Sequence, residues 1–406
     1  MAEPSFVIVG AGLAGLRAAE TVRAEGFAGR VVLIGDEPHL PYDRPPLSKG
    51  VLDGSRSPDS TRLRDESFYV DNDIDVVVGR RVAALRPHEG TVELADGTIV
   101  AATKVLLATG GRPRTLAVRG ADLPGVRLLR TLDDAVAVAS ELDPGAAVVV
   151  IGAGFIGAEV AASARTIGCE VTMLEAAPIP LGRALGPDIA ERYGAHHRAR
   201  GVNLRCAIGV DAIEGTRRVQ AVTTTDGVRY PAEVVVVGIG IVPNTELADA
   251  AGITLGNGIV VDETCRTSNP AVFAAGDVAD FHSTVVDRRV RRESWQNALD
   301  QGAAAAMSML GKGSRYCETP WFWTDQYDLK LQMAGTPEPT DDVVWRGDPD
   351  SGEFCAFYLR DGILTGAVGI NRPKDVRAAL ALIMAHKAVP AELLADPSID
   401  LRKATR

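Results

Sequence analysis

Two stretches of this chain, FVIVGAGLAGLRAAETV (residues 6–22) and VVVIGAGFIGAEVAASA (residues 148–164), share one pattern: an apolar run, a Gly-x-Gly-x-x-Gly turn and an alanine-rich helical segment. A lone glycine motif constrains little. Here each copy follows a predicted strand, opens a predicted helix, and has an acidic residue about 20 positions further on, which is the context a dinucleotide-binding turn requires. The first glycine allows the tight turn, the second lets a pyrophosphate approach the backbone, and the third lets helix and strand pack closely. Gly10, Gly12 and Gly15, with Leu13 and Ala14 between them, are the phosphate-binding candidates of the first copy. Gly152, Gly154, Ile156 and Gly157 are those of the second. Each copy continues with a second apolar strand (VVLIG at 31–35, EVTMLE at 170–175), then a hairpin about an Asp-Gly turn at Asp96-Gly97 or Asp226-Gly227. Each closes on an apolar strand ending in glycine, KVLLATGG at 104–111 and EVVVVGIG at 233–240, the latter ending in Gly240. The repeat predicts an α/β fold with two Rossmann-like dinucleotide-binding domains.

The acids of the two copies differ in placement. Glu175 directly follows its strand, where a carboxylate accepts from both ribose hydroxyls and repels a 2′-phosphate, which favours NADH over NADPH. Asp36 comes one place later, after Gly35, and is assigned to the adenosine ribose of the other nucleotide. A further strand, TSNPAVFAAGDVA at 267–279, ends in Gly276-Asp277. It resembles the flavoproteins with two dinucleotide-binding domains, whose aspartate at this point binds the ribitol chain of FAD. With Ala108-Thr109-Gly110, it implies an FAD domain interrupted by an inserted NAD domain.

The whole chain resembles the glutathione-reductase-type ferredoxin reductases, the family of the putidaredoxin, rubredoxin and dioxygenase ferredoxin reductases. The resemblance is carried by PYDRPPLSK (41–49), LATGGRPR (107–114), LRTLDDA (129–135), GIGIVPN (238–244), ESWQNALDQ (293–301) and PWFWTDQYD (320–328). It implies an FAD domain at 1–110 and 242–318, an NAD domain at 111–241, and a C-terminal α+β domain with an antiparallel sheet at 319–406. The sequence of that tail agrees: EFCAFYLRDGILTGAVGI reads as a hairpin about Asp361-Gly362, and DVRAALALIMAHK as an amphipathic helix. The implied cofactors are FAD and NADH, and the implied acceptor is a [2Fe-2S] ferredoxin that serves a cytochrome P450 or a Rieske oxygenase.

In disulfide reductases of this plan, the segment after the ribose acid carries redox cysteines against the flavin. LPYDRPPLSKG at 40–50 carries none, so electrons must leave reduced FAD for an external acceptor. By the resemblance, Lys49 lies near the flavin N5 and pairs with Glu159, which approaches the nicotinamide. Arg44 and Arg130 match positions that contact FAD phosphate or ribose. Val82, Glu293 and Trp295 match positions lining the cofactor, and Trp323 one that faces the acceptor. Two other functions share these features: an NADH-dependent reductase of a quinone or radical, and a slowly turning redox sensor of the apoptosis-inducing-factor type.

Composition narrows the partners. The 43 basic and 53 acidic residues give a net charge of −10, which argues against nucleic acid. The longest uncharged apolar run, Ala146 to Ala158, is too short to cross a bilayer and contains three glycines. No signal peptide is visible, and a cytoplasmic protein without a membrane partner is expected. The five cysteines have no metal or redox spacing and read as reduced thiols, no metal site is expected, and the adjacent His196 and His197 read as surface residues. Arg372, Lys374 and Arg377, together with the run DRRVRR at 287–292, are candidate docking charges for an acidic ferredoxin.

Overall fold

The computed structural model describes residues 4–313, 315–317, 319–338, 340–386 and 388–404. The chain divides into two compact units: Met1–Asp43, Thr61–Arg112 and Val242–Phe322 form one, and Arg44–Ser60, Pro113–Ile241 and Trp323–Arg406 the other. Among the described residues, no helix is long and apolar enough to cross a membrane.

The first unit is built on a five-stranded parallel sheet in the order Val272–Ala274, Lys104–Leu107, Ser5–Val9, Arg30–Ile34, Ile74–Val77. Its strands are continuous apolar runs because both faces are covered. Phe6 and Ile8 point to one cluster, with Leu16, Val22 and Met309 from the helices Leu13–Ala24 and Trp295–Met309. Val7 and Val9 point to the other, with Leu85, Val92 and Leu94 of the small antiparallel sheet Val82–Arg86, Thr91–Leu94, Ile99–Ala101. Period-two alternation thus sorts one strand between two cores.

The second unit repeats that plan with a parallel sheet in the order Asn203–Arg205, Glu170–Leu174, Ala147–Ile151, Val234–Val237, Val126–Leu128. An antiparallel sheet of Val210–Gly215, Val219–Thr224 and Arg229–Pro231 lies over it, its last hairpin turning at Asp226-Gly227. From Trp323 onward the same unit contains a five-stranded sheet, in the order Trp321–Gln326, Leu329–Gly335, Ile363–Ile370, Glu353–Arg360, Asp342–Asp348, backed by the helix Pro373–Ala385. Asp361 and Gly362 join two of these strands with φ of 51° and 75°, the pair of positive values that a two-residue type I′ turn needs. The mixed α/β class with parallel cores and a C-terminal antiparallel sheet is the one the sequence predicts.

One expectation fails here. His197 is fully buried, whereas its neighbour His196 keeps a quarter of its side chain exposed. On the helix Pro187–Ala199 the inward stripe runs Ile189, Ala190, Tyr193, Gly194, His197, and the i, i+4 spacing from Tyr193 turns His197 into the unit while its neighbour faces outward.

Candidate functional site

In the first unit the three motif glycines have distinct surroundings. A Cβ at Gly10 would fall 2.1 Å from the Ala108 carbonyl oxygen, and one at Gly15 would fall 1.9 Å from that of Gly10. Around Gly12 nothing would lie within 4 Å. The first and third glycines are therefore demanded by packing, and the middle one opens onto a cradle. The helix Leu13–Ala24 starts at Gly12 without a side-chain cap and without an acidic residue in its first turn. Elsewhere the chain does cap helices: Thr131 and Asp134 form a capping box, and the Ser294 hydroxyl accepts from Asn297 N–H. An uncapped helix start with its partial positive charge, beside an open glycine, suits the diphosphate of a dinucleotide. Asp36 is exposed just past the strand Arg30–Ile34.

Most of the other residues assigned to this nucleotide lie on the same unit; Arg44 and Arg130 belong to the second. Ala108 N–H donates to the Val9 carbonyl over 2.8 Å; the Thr109 hydroxyl donates to the Asn244 carbonyl over 2.7 Å, and Asn244 N–H to the Gly110 carbonyl over 3.0 Å. Gly276 turns with φ of 79°, and its N–H donates to Gln301 Oε1 over 2.8 Å, which fixes the backbone that presents Asp277. Gln301 is fully buried, and its Nε2 has no protein partner beside that turn. Val82 is buried at the start of its strand, the Trp295 indole donates to Asp43 Oδ1 over 2.9 Å, and exposed Glu293 pairs with Arg291 at 2.6 Å. The open cradle, the uncapped helix and the orphaned Gln301 donor fit FAD.

The second unit repeats the glycine geometry. A Cβ at Gly152 would fall 2.5 Å from the Gly238 carbonyl oxygen and one at Gly157 2.0 Å from that of Gly152, while Gly154 again opens onto free space. The helix Phe155–Ile167 starts uncapped from Gly154, and Ile156 in its first turn is 48% exposed. The Glu175 carboxylate accepts from Ala153 N–H at 2.7 Å and from Ala177 N–H at 2.8 Å, which holds it against the glycine turn. Gly240 closes the last strand of the repeat with φ of 96°. This constellation fits a second nucleotide with free ribose hydroxyls.

The same unit contains the pair predicted for chemistry. Pro45–Ser48 forms a 3-10 turn, with prolines at its start where their fixed φ is already suitable. Its end is tied by the N–H groups of Lys49 and Val51, which both donate to the Pro46 carbonyl over 3.1 Å. Lys49 is therefore held at its Cα, and its ammonium reaches Glu159 Oε1 at 2.8 Å and the Pro45 carbonyl at 3.1 Å. Glu159 is only 3% exposed. Charge this far from water requires partners, and it has them: the Ser48 hydroxyl donates to Oε2 and the Thr324 hydroxyl to Oε1 over 2.6 Å. Ser48 is fixed in turn by Ser163, whose hydroxyl donates to its carbonyl over 2.9 Å. Arg44 donates to the Arg130 carbonyl over 2.5 Å. Trp323 is half-buried on the strand Trp321–Gln326, next to Thr324.

Sequence reasoning did not find Ser48, Thr324, Gln326 or His197. A signal existed for two of them, since alternation along the strand puts Thr324 and Gln326 on the face opposite Trp323. The docking charges are partly committed elsewhere. In DRRVRR, Arg289 bridges the carboxylate of Asp280 and the Val261 carbonyl, and Arg291 bonds the carbonyls of Asn257 and Asp277. Arg372 is paired with Asp375 at 2.7 Å, while Lys374 and Arg377 are exposed.

The description of the pyridine nucleotide-disulphide oxidoreductases matches residues 4–302, and that of a reductase C-terminal domain matches 321–405. The chain belongs to the pyridine nucleotide-disulphide oxidoreductase family. Within that family it is 42% identical to rhodocoxin reductase of Rhodococcus erythropolis, over 98% of this chain and 94% of the relative. It is 43% identical to the ferredoxin–NAD(+) reductase component of the anthranilate 1,2-dioxygenase system of Burkholderia cepacia, over 99% of both chains. Among solved structures, the covalent putidaredoxin reductase–putidaredoxin complex contains a chain that matches with a TM-score of 0.95 and 39% identity, covering 99% of this chain and 98% of that one. Unlike a disulphide-using member, this one has no cysteine between residues 40 and 50, and all five of its cysteines are free.

Proposed function

We propose that the chain is an FAD-dependent NADH:ferredoxin reductase, which takes a hydride from NADH and delivers single electrons to a [2Fe-2S] ferredoxin that serves a cytochrome P450 or a Rieske oxygenase. The observation that carries this reading is the ion pair of Lys49, on a segment without cysteine, with the buried Glu159, in a chain with two uncapped glycine turns. Relatives named as ferredoxin–NAD(+) reductase components, and a similar chain solved in complex with putidaredoxin, support the nature of the acceptor. When bound, FAD supplies the step from two-electron to one-electron chemistry. The protein supplies binding, orientation and charge.

The reading assigns FAD binding to 1–110 and 242–318, NAD binding to 111–241, and a C-terminal domain to 319–406; residues 1–3, 314, 318, 339, 387 and 405–406 lie outside those described. FAD is held by Gly10, Gly12, Leu13, Ala14 and Gly15 at its diphosphate and by Asp36 at its ribose. Val82, Ala108, Thr109, Gly110, Gly276, Asp277, Glu293 and Trp295 line it, with Arg44 and Arg130 on its polar end. NADH is held by Gly152, Gly154, Ile156, Gly157, Gly240 and Glu175. Lys49 supplies positive charge that favours the reduced flavin, Glu159 keeps that ammonium in place and meets the nicotinamide, and Trp323 faces the acceptor. The enzyme works in the cytoplasm, where its nicotinamide donor is available.

Stopped-flow reduction by NADH tests the assignment. Lys49→Met alone would strand a buried carboxylate, at a cost of about 3–5 kcal/mol, so the informative variant is Lys49→Met with Glu159→Gln. Hydride transfer should slow at least tenfold in the double variant while FAD stays bound. A wild-type rate would remove the pair from the chemistry.

A further inference from the structure

Behind Glu159 the structure holds a row of buried polar groups that the activity does not account for. Thr324 Oγ1 lies 2.6 Å from Glu159 Oε1, Gln326 Nε2 lies 3.1 Å from Thr324 Oγ1, and His197 Nε2 lies 2.8 Å from Gln326 Oε1. Thr324, Gln326 and His197 are 0%, 3% and 0% exposed.

The directions of these bonds follow from one fact, that a carboxylate only accepts. The single hydroxyl proton of Thr324 is therefore spent on Glu159. Thr324 can then only accept from Gln326, so the amide turns its NH2 toward Thr324 and its oxygen toward His197. That oxygen needs a donor, so His197 carries its proton on Nε2. Its Nδ1 is left as an acceptor, and it is buried without a protein partner. The rings of Tyr193 and Tyr327, with centroids 5.2 Å and 5.6 Å from that of His197, wall in the imidazole.

We propose that His197, Gln326 and Thr324 form a one-way row of hydrogen-bond donors that orients the Glu159 carboxylate for the hydride-transfer step, which makes Gln326 and His197 positioning residues of that reaction. The proposal rests on the reading of Lys49 and Glu159 given above. Buried polar groups cost stability unless every member is satisfied, and apolar side chains of the same size would pack here at lower cost. The row leads to a single end. Thr324 holds the oxygen that also receives Lys49, so a rotation of the Glu159 carboxylate would displace the ammonium with it. Misplacement of a reacting group by about 1 Å can cost up to 10²-fold in rate.

The test uses the FAD-loaded enzyme, anaerobic stopped-flow reduction by NADH, and infrared spectroscopy of the Glu159 carboxylate, isolated by subtracting the spectrum of Glu159→Gln. Gln326→Met and His197→Leu should each lower the limiting rate of flavin reduction about tenfold, leave the Kd for NADH within about twofold, and shift the carboxylate band. A limiting rate within about twofold of wild type, or an unshifted band, in either folded variant overturns the proposal. Should a variant fail to fold, Thr324→Val against Thr324→Ser decides on the same two readouts: the hydroxyl of serine must recover most of what valine loses. The Lys49→Met/Glu159→Gln enzyme separates the two levels. If it reduces flavin at the wild-type rate, the role of the pair falls and the row with it; if it is slow while Gln326→Met is not, only the row falls.

Discussion

Glu159 is a carboxylate almost withdrawn from water and surrounded by an ammonium and two hydroxyls, which suits a group whose position matters more than its access. Glu175 is its opposite, a half-exposed acid that two backbone N–H groups turn toward a glycine loop, and in the proposed function it selects the nucleotide of the second unit. Glu175→Arg removes the ribose acceptor and adds a cation where a 2′-phosphate would lie. The ratio of kcat/KM for NADH over NADPH should fall at least tenfold, as measured by flavin bleaching with each nucleotide. His197 gives a different readout. Burial lowers its pKa from 6.5 to about 4, so between those values the unfolded chain binds the proton and the folded one does not. Its contribution is complete above about pH 6.5 and is lost as pH falls toward 4, on the order of 3 kcal/mol over the whole window. His196 is lowered in the same direction by burial and Arg200. Urea midpoints should drop between pH 7 and 5 in the wild type, and drop less in His197→Gln, which lacks the buried imidazole.

In each glycine-turn helix one motif sets glycines that packing demands beside one that opens onto free space. At Gly157 a Cβ would meet backbone at 2.0 Å, so Gly157→Ala should destabilise the fold and lower the Tm by several degrees. At Gly154, with φ of −75° and open space around the added carbon, alanine suits the backbone. Gly154→Ala should therefore keep its fold and its FAD while the Kd for NADH rises about tenfold, because the methyl occupies the approach of the diphosphate. Equilibrium titration and thermal unfolding of the two variants separate these effects. The strand Trp321–Gln326 has a similar division of labour, with Thr324 and Gln326 buried on one face and Trp323 on the other.

For the molecule as a whole, the cysteine pattern and the charge lead to predictions for the electron count and the docking. Anaerobic titration should take up two electrons per FAD, and a variant with all five cysteines replaced should retain NADH-to-ferricyanide activity. Uptake of four electrons would reveal a redox disulfide. With a net charge of −10, an acidic ferredoxin must dock on a local basic patch. Lys374 and Arg377 remain available for one, since Arg372, Arg289 and Arg291 have internal partners. Lys374→Glu with Arg377→Glu should raise the KM for ferredoxin severalfold, leave ferricyanide reduction unaffected, and weaken the salt dependence of the ferredoxin reaction.

The amino-acid sequence by itself determined the two glycine-turn units, the acids that follow their second strands, the Asp-Gly hairpins and the lysine at the end of the proline segment. Each of these is written in local terms: apolar periodicity, residues that tolerate positive φ, and spacing within a few turns of chain. Only the tertiary structure decided what surrounds Glu159. Thr324 is 165 residues from it, and Gln326 is 129 residues from His197. No local pattern marks such partners, because which buried donor meets which acceptor depends on how distant elements pack. For the same reason two adjacent histidines that look alike in sequence differ in the fold: one stays partly exposed, and the other ends a row of hydrogen bonds inside the protein.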